Sequence, residues 1–248
     1  MKTILTTLLA LVLFIHTRAQ SNFYKMGIGA GAGFTRSYTD LAKHGYGVAG
    51  YGVFDYYFTP FLSLGVEGQM GEINSGDAQT DPAGRQAINR YKSVSINGKI
   101  SLGALINYNR SGFTNVIKGL YLGAGAGIVQ NDMKAIVRSK LIVDQNGQQV
   151  TDENGKPMIY TFPGKSKSKD PMIPLNLGIN FYFHDGSGYY RYALNFNCQT
   201  TITLGEGLDG YDDSPIKFKN GSPDMYAYYT VGLRYHFGTM GLSRKNLY

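Results

Sequence analysis

The chain has 248 residues and a formal net charge of +7, with 33 Gly, 20 Tyr, one Cys and no Trp. A single cysteine, Cys198, excludes an intrachain disulfide framework and a cysteine-built zinc cluster. Beyond the first residues no apolar stretch approaches the ~18 residues of a membrane-spanning helix, so any membrane crossing must be made by strands.

The amino-terminal segment reads as a secretory signal over residues 1–19: Lys2, an apolar run from Ile4 to Ile15, then Thr17-Arg18-Ala19 before Gln20. A sequence pI near 9.3 would otherwise suit a nucleic-acid partner. Export argues against one, and the basic loop residues Lys134, Arg138, Lys140, Lys165, Lys167 and Lys169 point instead to anionic lipid or glycan phosphate.

Eight segments then alternate with period two, which sends successive side chains to opposite faces of a strand. Met26, Ile28, Ala30, Ala32 and Phe34 oppose Gly27, Gly29, Gly31 and Gly33. Val48, Phe54, Tyr56 and Phe58 oppose Tyr51, Asp55 and Tyr57. Leu62, Leu64, Val66 and Met70 oppose Ser63, Glu67 and Gln69. Val94, Ile96, Ile100, Leu102 and Ile106 oppose Ser95, Asn97, Lys99 and Ser101. Leu120, Leu122, Ala124, Ala126 and Ile128 oppose Tyr121, Gly123, Gly125 and Gly127. Leu175 to Phe183 oppose Asn176, Asn180 and Tyr182, and Tyr192, Leu194 and Phe196 oppose Arg191, Asn195, Asn197 and Gln199. The last strand sets Met225, Ala227, Tyr229, Val231, Leu233, Tyr235 and Phe237 against Tyr228, Thr230, Gly232, Arg234 and His236. No apolar face carries a charge, which near a bilayer midplane would cost roughly 2–4 kcal/mol. Cys198 falls on such a face and packs as a small hydrophobe.

The connections alternate in length. Longer ones are expected at 37–46, 71–90, 131–171 and 205–223, and short ones at Thr59-Pro60, around Tyr108 to Gly112, and at Asp185 to Gly188. Short turns on one side and long loops on the other predict an eight-stranded antiparallel up-and-down transmembrane β-barrel over residues 20–238. The 131–171 insert is expected outside the cell with a small hairpin of its own, since Asn146-Gly147 and Asn154-Gly155 supply turn conformations. Residues 239–248 form a short periplasmic tail.

Catalytic, metal and cofactor sites are not indicated. His44 beside Asp40 lacks a further partner, and Asp144, Asn146, Asp152, Glu153 and Asn154 fit turn chemistry rather than a complete calcium loop. The Gly-x-Gly runs are not phosphate loops because no helix follows them; they leave room for bulky neighbours inside a narrow barrel. The residues that stand out are inward charges: Lys25, Asp55, Arg191 and Arg234 near periplasmic strand ends, and Glu67 and Lys99 near mid-barrel. Buried charges must be paired. A hairpin centred on residue 83 would set Glu67 opposite Lys99, in a lumen that side chains fill.

Thr230, Gly232, Tyr235 and Phe237 form a pattern that resembles the closing-strand signal of bacterial outer-membrane barrels, followed here by eleven residues. Together with Met26 to Phe34 and Gly119 to Gly127, it makes the chain similar to small outer-membrane barrels of the OmpA-domain and OmpX type. The resemblance is closer to the Gly- and Tyr-rich outer-membrane β-barrel or PorT-like proteins of Bacteroidota. It implies a non-enzymatic outer-membrane protein with a structural or interaction role, recognised by the barrel insertion machinery through Tyr235 and Phe237. Its surroundings would be outer-membrane lipid and lipopolysaccharide, and the PorT-like group implies a subunit of a secretion or assembly complex. The alternative function is passage of small or hydrophobic solutes through a narrow barrel.

Overall fold

The computed structural model describes residues 21–81, 84–108, 111–144, 148–212, 223–245 and 247. The expected signal segment therefore lies outside the described residues, as do Asn109, Arg110 and the Asn146-Gly147 turn. Eight long strands close into an antiparallel barrel: β1 (Ser21–Tyr38), β2 (Tyr46–Thr59), β3 (Leu62–Gly76), β4 (Gln86–Ser101), β5 (Leu120–Ile136), β8 (Lys167–His184), β9 (Tyr190–Thr203) and β10 (Met225–Leu242). The short β6 (Ser139–Leu141) and β7 (Ile159–Thr161) pair separately inside the long insert. Closure comes from β1 against β10, in register from Met26 opposite Phe237 to Tyr38 opposite Met225.

Alternation in sequence becomes alternation in burial. Along β2 and β4 every second side chain is buried, and the apolar residues between them stand exposed on the outside. Phe34, Val48, Met70, Leu122 and Leu233 are each more than half exposed, arrayed around a closed barrel. No helix of the described residues is long and apolar enough to cross a membrane. An apolar belt on the outside of a closed sheet is what lipid requires, because every backbone polar group is already paired.

Several inward glycines leave room for rings that lie across them. A Cβ on Gly31 would stand 2.7 Å from the Tyr51 ring, and one on Gly232, opposite Gly31 on β10, would stand 2.2 Å from the Tyr51 hydroxyl. Gly178 on β8 makes the same room for Tyr121.

Three expectations need correction. The fourth strand ends at Ser101, five residues before Ile106; Leu102–Ala104 forms a 3-10 turn and Gly112–Ile117 a short helix, α1. Local chemistry competes here: the Ser111 hydroxyl accepts from the Thr114 amide at 3.2 Å, a helix N-cap. Second, β3 and β4 pair with Glu67 opposite Ser95, so the hairpin centres on residue 81 rather than 83, and Lys99 faces Ser63. The turn is set by Asp77, whose carbonyl accepts from the amides of Thr80 and Asp81 at 3.1 and 2.8 Å. Third, β10 runs past Phe237 to Leu242, with Gly238 at φ +86° where β1 slips by one residue between Tyr24 and Met26. Strands β3, β4, β5 and β8 also reach beyond the expected belt at the long-loop end, and the insert carries the expected hairpin as β6 and β7.

With Cys198 replaced by Ala, Lys167→Cys is expected to react with an impermeant maleimide in intact cells. Ser187→Cys, in the short turn between β8 and β9, should react only after the outer membrane is breached. The reverse labelling would invert the barrel.

Candidate functional site: a closed polar lumen

Strand alternation aims Asp55 from β2, Glu67 from β3, Lys99 from β4 and Arg234 from β10 into one space. Each of these side chains is at most 6% exposed. Arg234 Nη1 donates to Asp55 Oδ2 in a close ion pair. Lys99 Nζ stands 3.5 Å from Asp55 Oδ1 and 3.9 Å from Glu67 Oε2. Two acids and two bases thus make a neutral cluster with Asp55 held between both cations. The expected meeting of Glu67 and Lys99 occurs diagonally across the β3–β4 pair rather than directly opposite, because the register is shifted.

Around the cluster runs a network of amides and phenols. Gln69 Nε2 donates to Glu67 Oε1 at 2.7 Å and to Gln199 Oε1 at 2.8 Å. The Tyr121 hydroxyl donates to Asn197 Oδ1 at 2.9 Å and accepts from Asn195 Nδ2 at 3.0 Å. Asn197 Nδ2 reaches Asn176 Oδ1 at 2.9 Å, and Asn176 Nδ2 reaches Asn97 Oδ1 at 3.4 Å. The chain of donors therefore links β9, β5, β8 and β4 across the interior. Each of these amides both donates and accepts, so the network is satisfied from within, while Ser93 Oγ, Thr230 Oγ1, Arg234 Nε and His236 Nε2 lie buried outside it without a hydrogen-bond partner among the described residues.

The remaining inward charges do not join. Lys25 lies half-buried at the slip between β1 and β10, away from the cluster. Arg191 is placed by a second irregularity, between the Phe183–Tyr192 and His184–Tyr190 pairs, which breaks the inward-outward count. Its guanidinium turns to the short-turn lip, 3.1 Å from Asp185 and over the rings of Tyr24 and Tyr235 at 4.8 and 6.0 Å. Thr230 and Gly232 face the lumen, whereas Tyr235 and Phe237 stack parallel on the outer face with centroids 6.0 Å apart. His236 packs in the lumen between Tyr57 and Tyr182. His44 pairs with Ser75 and lies against the Tyr38 ring, in the first long loop. Among the described residues, His, Cys, Asp and Glu nowhere gather into a set that could hold a metal.

Both mouths are covered, which sequence periodicity did not signal. At the long-loop end, Leu208 to Tyr211 turn inward, and Leu208 is buried against Tyr91, Val129, Met172 and Tyr226. Asn89 Nδ2 donates to the Leu208 carbonyl at 2.9 Å, and the Leu208 amide donates to Asp224 Oδ2 at 3.2 Å. Arg138 donates to the carbonyls of Gly164 and Gly210, each at 3.0 Å. Burial, with further carboxylates nearby, pushes the carboxyls of Asp209 and Asp224 well above the usual carboxylate range. At the other end, Leu247 packs with Phe61 and Tyr108. Lys245 Nζ donates to the carbonyls of Gly103, Ala104 and Ile106 at 3.2, 2.7 and 3.0 Å. Lys118 donates to the Leu247 carbonyl between the Tyr108 and Tyr190 rings, and burial lowers its ammonium to about 8. Lys245 and Leu247 thus form a floor under the barrel.

The cluster predicts a coupled energetic signature. Lys99→Met leaves one excess negative charge in the lumen, Glu67→Gln leaves one excess positive charge, and the double change leaves Asp55 with Arg234 alone. The double variant should therefore unfold at a higher temperature in detergent than either single variant. Asp55→Asn, which strands Arg234 and Lys99 together, should be the most damaging single change, on the order of 3–5 kcal/mol. Additive effects of the Glu67 and Lys99 changes would refute the coupling.

No family model matches the chain, and no curated protein matches it in sequence. Solved structures do match in fold. Neisserial surface protein A superposes over 86% of this chain and 97% of its own, with a TM-score of 0.50 and 9% identity. The attachment invasion locus protein Ail of Yersinia pestis, solved with the heparin analogue sucrose octasulfate, covers 86% of this chain and 97% of its own at TM-score 0.41 and 11% identity. The amino-terminal barrel domain of Pseudomonas aeruginosa OprF covers 86% and 99% at TM-score 0.39 and 11% identity. The first of these carries the correspondence of fold. With its continuous apolar belt and closed eight-stranded sheet, the protein is a small β-barrel of the outer membrane.

Proposed function

We propose that the protein is a non-enzymatic barrel of the cell envelope, acting through its surface rather than through its lumen. One observation carries this reading: the interior is closed at three levels, by the Leu208 lid, by the Asp55 cluster and by the Leu247 floor. Eight strands enclose a space that side chains can fill, and here aromatic rings and amides fill it. The strands that outrun the belt, with the hairpin of β6 and β7, present a raised surface at the long-loop end for a partner in the envelope. The more specific role we propose is that of a subunit in a secretion or assembly complex, as the PorT-like resemblance implies. A filled lumen supports this reading over passage of small or hydrophobic solutes.

In a planar lipid bilayer the purified protein is expected to show no stable conductance steps. Reproducible large openings would replace the interaction reading with the transport one.

The assembly role proposed for Tyr235 and Phe237 rests on their stacked placement on the outer face of the last barrel strand, where an insertion machine can reach them. Replacing both by Ser should lower the amount in the outer membrane and increase periplasmic degradation. Unchanged insertion of the double variant would transfer the signal to the residues after Gly238.

A further inference from the structure

The outer surface changes character abruptly at the long-loop end, and on one side only. On β4 the belt residues Ile96 and Val94 give way, two and four positions along the same face, to Lys92 and Arg90. On β5, Ile128 gives way to Gln130, Asp132 and Lys134; on β8, Pro171 gives way to Lys169 and Lys167. With Glu72 on β3, this rim holds five cations and two acids on adjacent strands. The acids are engaged: Glu72 Oε1 stands 2.8 Å from Lys134 and 3.9 Å from Arg90, and Asp132 stands 3.2 Å from Lys167. Lys92 and Lys169 are exposed and have no partner among the described residues. On the far side of the barrel the rim is aromatic instead, with Arg36 laid over Tyr38 and Tyr46 at 5.4 Å each.

Register brings the two unpartnered lysines to one site. Lys92 lies opposite Gln130, and Gln130 lies opposite Lys169. Neighbouring strands are about 4.8 Å apart, so the two lysine backbones are separated by about 10 Å across β5. Their long side chains can converge on one anion, with the Gln130 amide between them as a further donor. Directly below on the same strands lies uninterrupted apolar surface: Val94 and Ile96, Ile128, Ile173 and Leu175. The ligand that suits this surface is anionic at one end and apolar below, and it stands in the membrane beside the barrel.

We infer that Lys92, Gln130 and Lys169 form a binding site for the phosphate of a phosphorylated glycolipid in the outer leaflet, whose acyl chains lie along the β4–β5–β8 belt. The inference deepens the envelope reading above and rests on the belt standing in lipid. The phosphate supplies the charge that the two ammonium groups lack, and the excess of cations around it excludes a neutral or zwitterionic headgroup as the preferred occupant. The site holds the lipid on one side of the barrel and thereby orients the protein's raised end relative to its membrane neighbours.

The test inserts purified protein into phosphatidylcholine vesicles, alone or doped with lipid A, with dephosphorylated lipid A or with phosphatidylglycerol. Lipid retained on the barrel after detergent extraction is counted by native mass spectrometry. Lipid A should be retained in preference to the other two. Lys92→Gln combined with Lys169→Gln should weaken that retention roughly thirtyfold, as expected for two juxtamembrane charges. Lys156→Gln combined with Lys165→Gln, which removes the same charge from the insert, should leave it unchanged. Equal retention of dephosphorylated lipid A or of phosphatidylglycerol would overturn the site, as would undiminished retention by the Lys92 and Lys169 double variant. Insertion into phosphatidylcholine alone reports folding of each variant. Failure of the unaltered protein to insert there would instead overturn the membrane reading itself.

Discussion

The constraint on which the rest of the structure depends is lack of room inside a barrel of eight strands. A ring such as Tyr51 can lie across the interior only where the facing backbone carries no side chain, and Gly31 and Gly232 meet that demand from the two strands that close the barrel. The closing seam is therefore also a place where the interior is tightly matched. The same shortage of space excludes a broad column of water, so inward polar groups must satisfy one another. That requirement turns an ordinary polar lumen into the linked amides of Asn195, Asn197, Asn176 and Asn97, which tie β9 to β8 and β4 through side chains as well as through the sheet.

Electrostatics follow from the same geometry. Asp55 would be costly alone in so dry a site, and it is compensated by cations from two strands that are not its neighbours in the sheet. The ion cluster consequently bridges the barrel rather than a hairpin. This makes the interior act as a single unit, since loss of any one charge is felt at all four positions. Outside, the opposite situation holds: charges stop where lipid begins, and the positive rim on β4, β5 and β8 marks that boundary on one side of the molecule.

Much of this was legible in the sequence because period two is a local property that survives into the fold. The faces of β2, β3, β5 and β8 follow directly from alternation, and the four clustered charges all stand on faces the alternation assigns inward. What escaped was anything that depends on counting across a break. The β3–β4 register turns on where Asp77 seats the hairpin, which shifts the centre by two residues and moves Lys99 from Glu67 to Ser63. Arg191 leaves the inward face that alternation assigns it, because one extra residue in β9 reverses the parity beyond it. The Leu208 lid and the Leu247 floor have no period at all; single apolar residues in polar loops become stoppers only once the barrel supplies their pockets. Ser111, three residues before Thr114, was a readable capping signal for α1, but it sat inside what looked like a tight turn.

The floor also bears on the order of events during assembly. Leu247 rests on Phe61, from the β2–β3 turn, and on Tyr108, from the connection between β4 and β5, while Lys245 is gripped by carbonyls of that same connection. These partners belong to the far wall of the barrel and come within reach of the chain end only after β10 has met β1. A barrel whose seam is still open must therefore leave Lys245 and Leu247 unanchored, and both disappear from view at the moment of closure. Access to Lys245 and Leu247 is thus a marker of unfinished molecules, one that a protease or chaperone on that side of the membrane can read without inspecting the sheet.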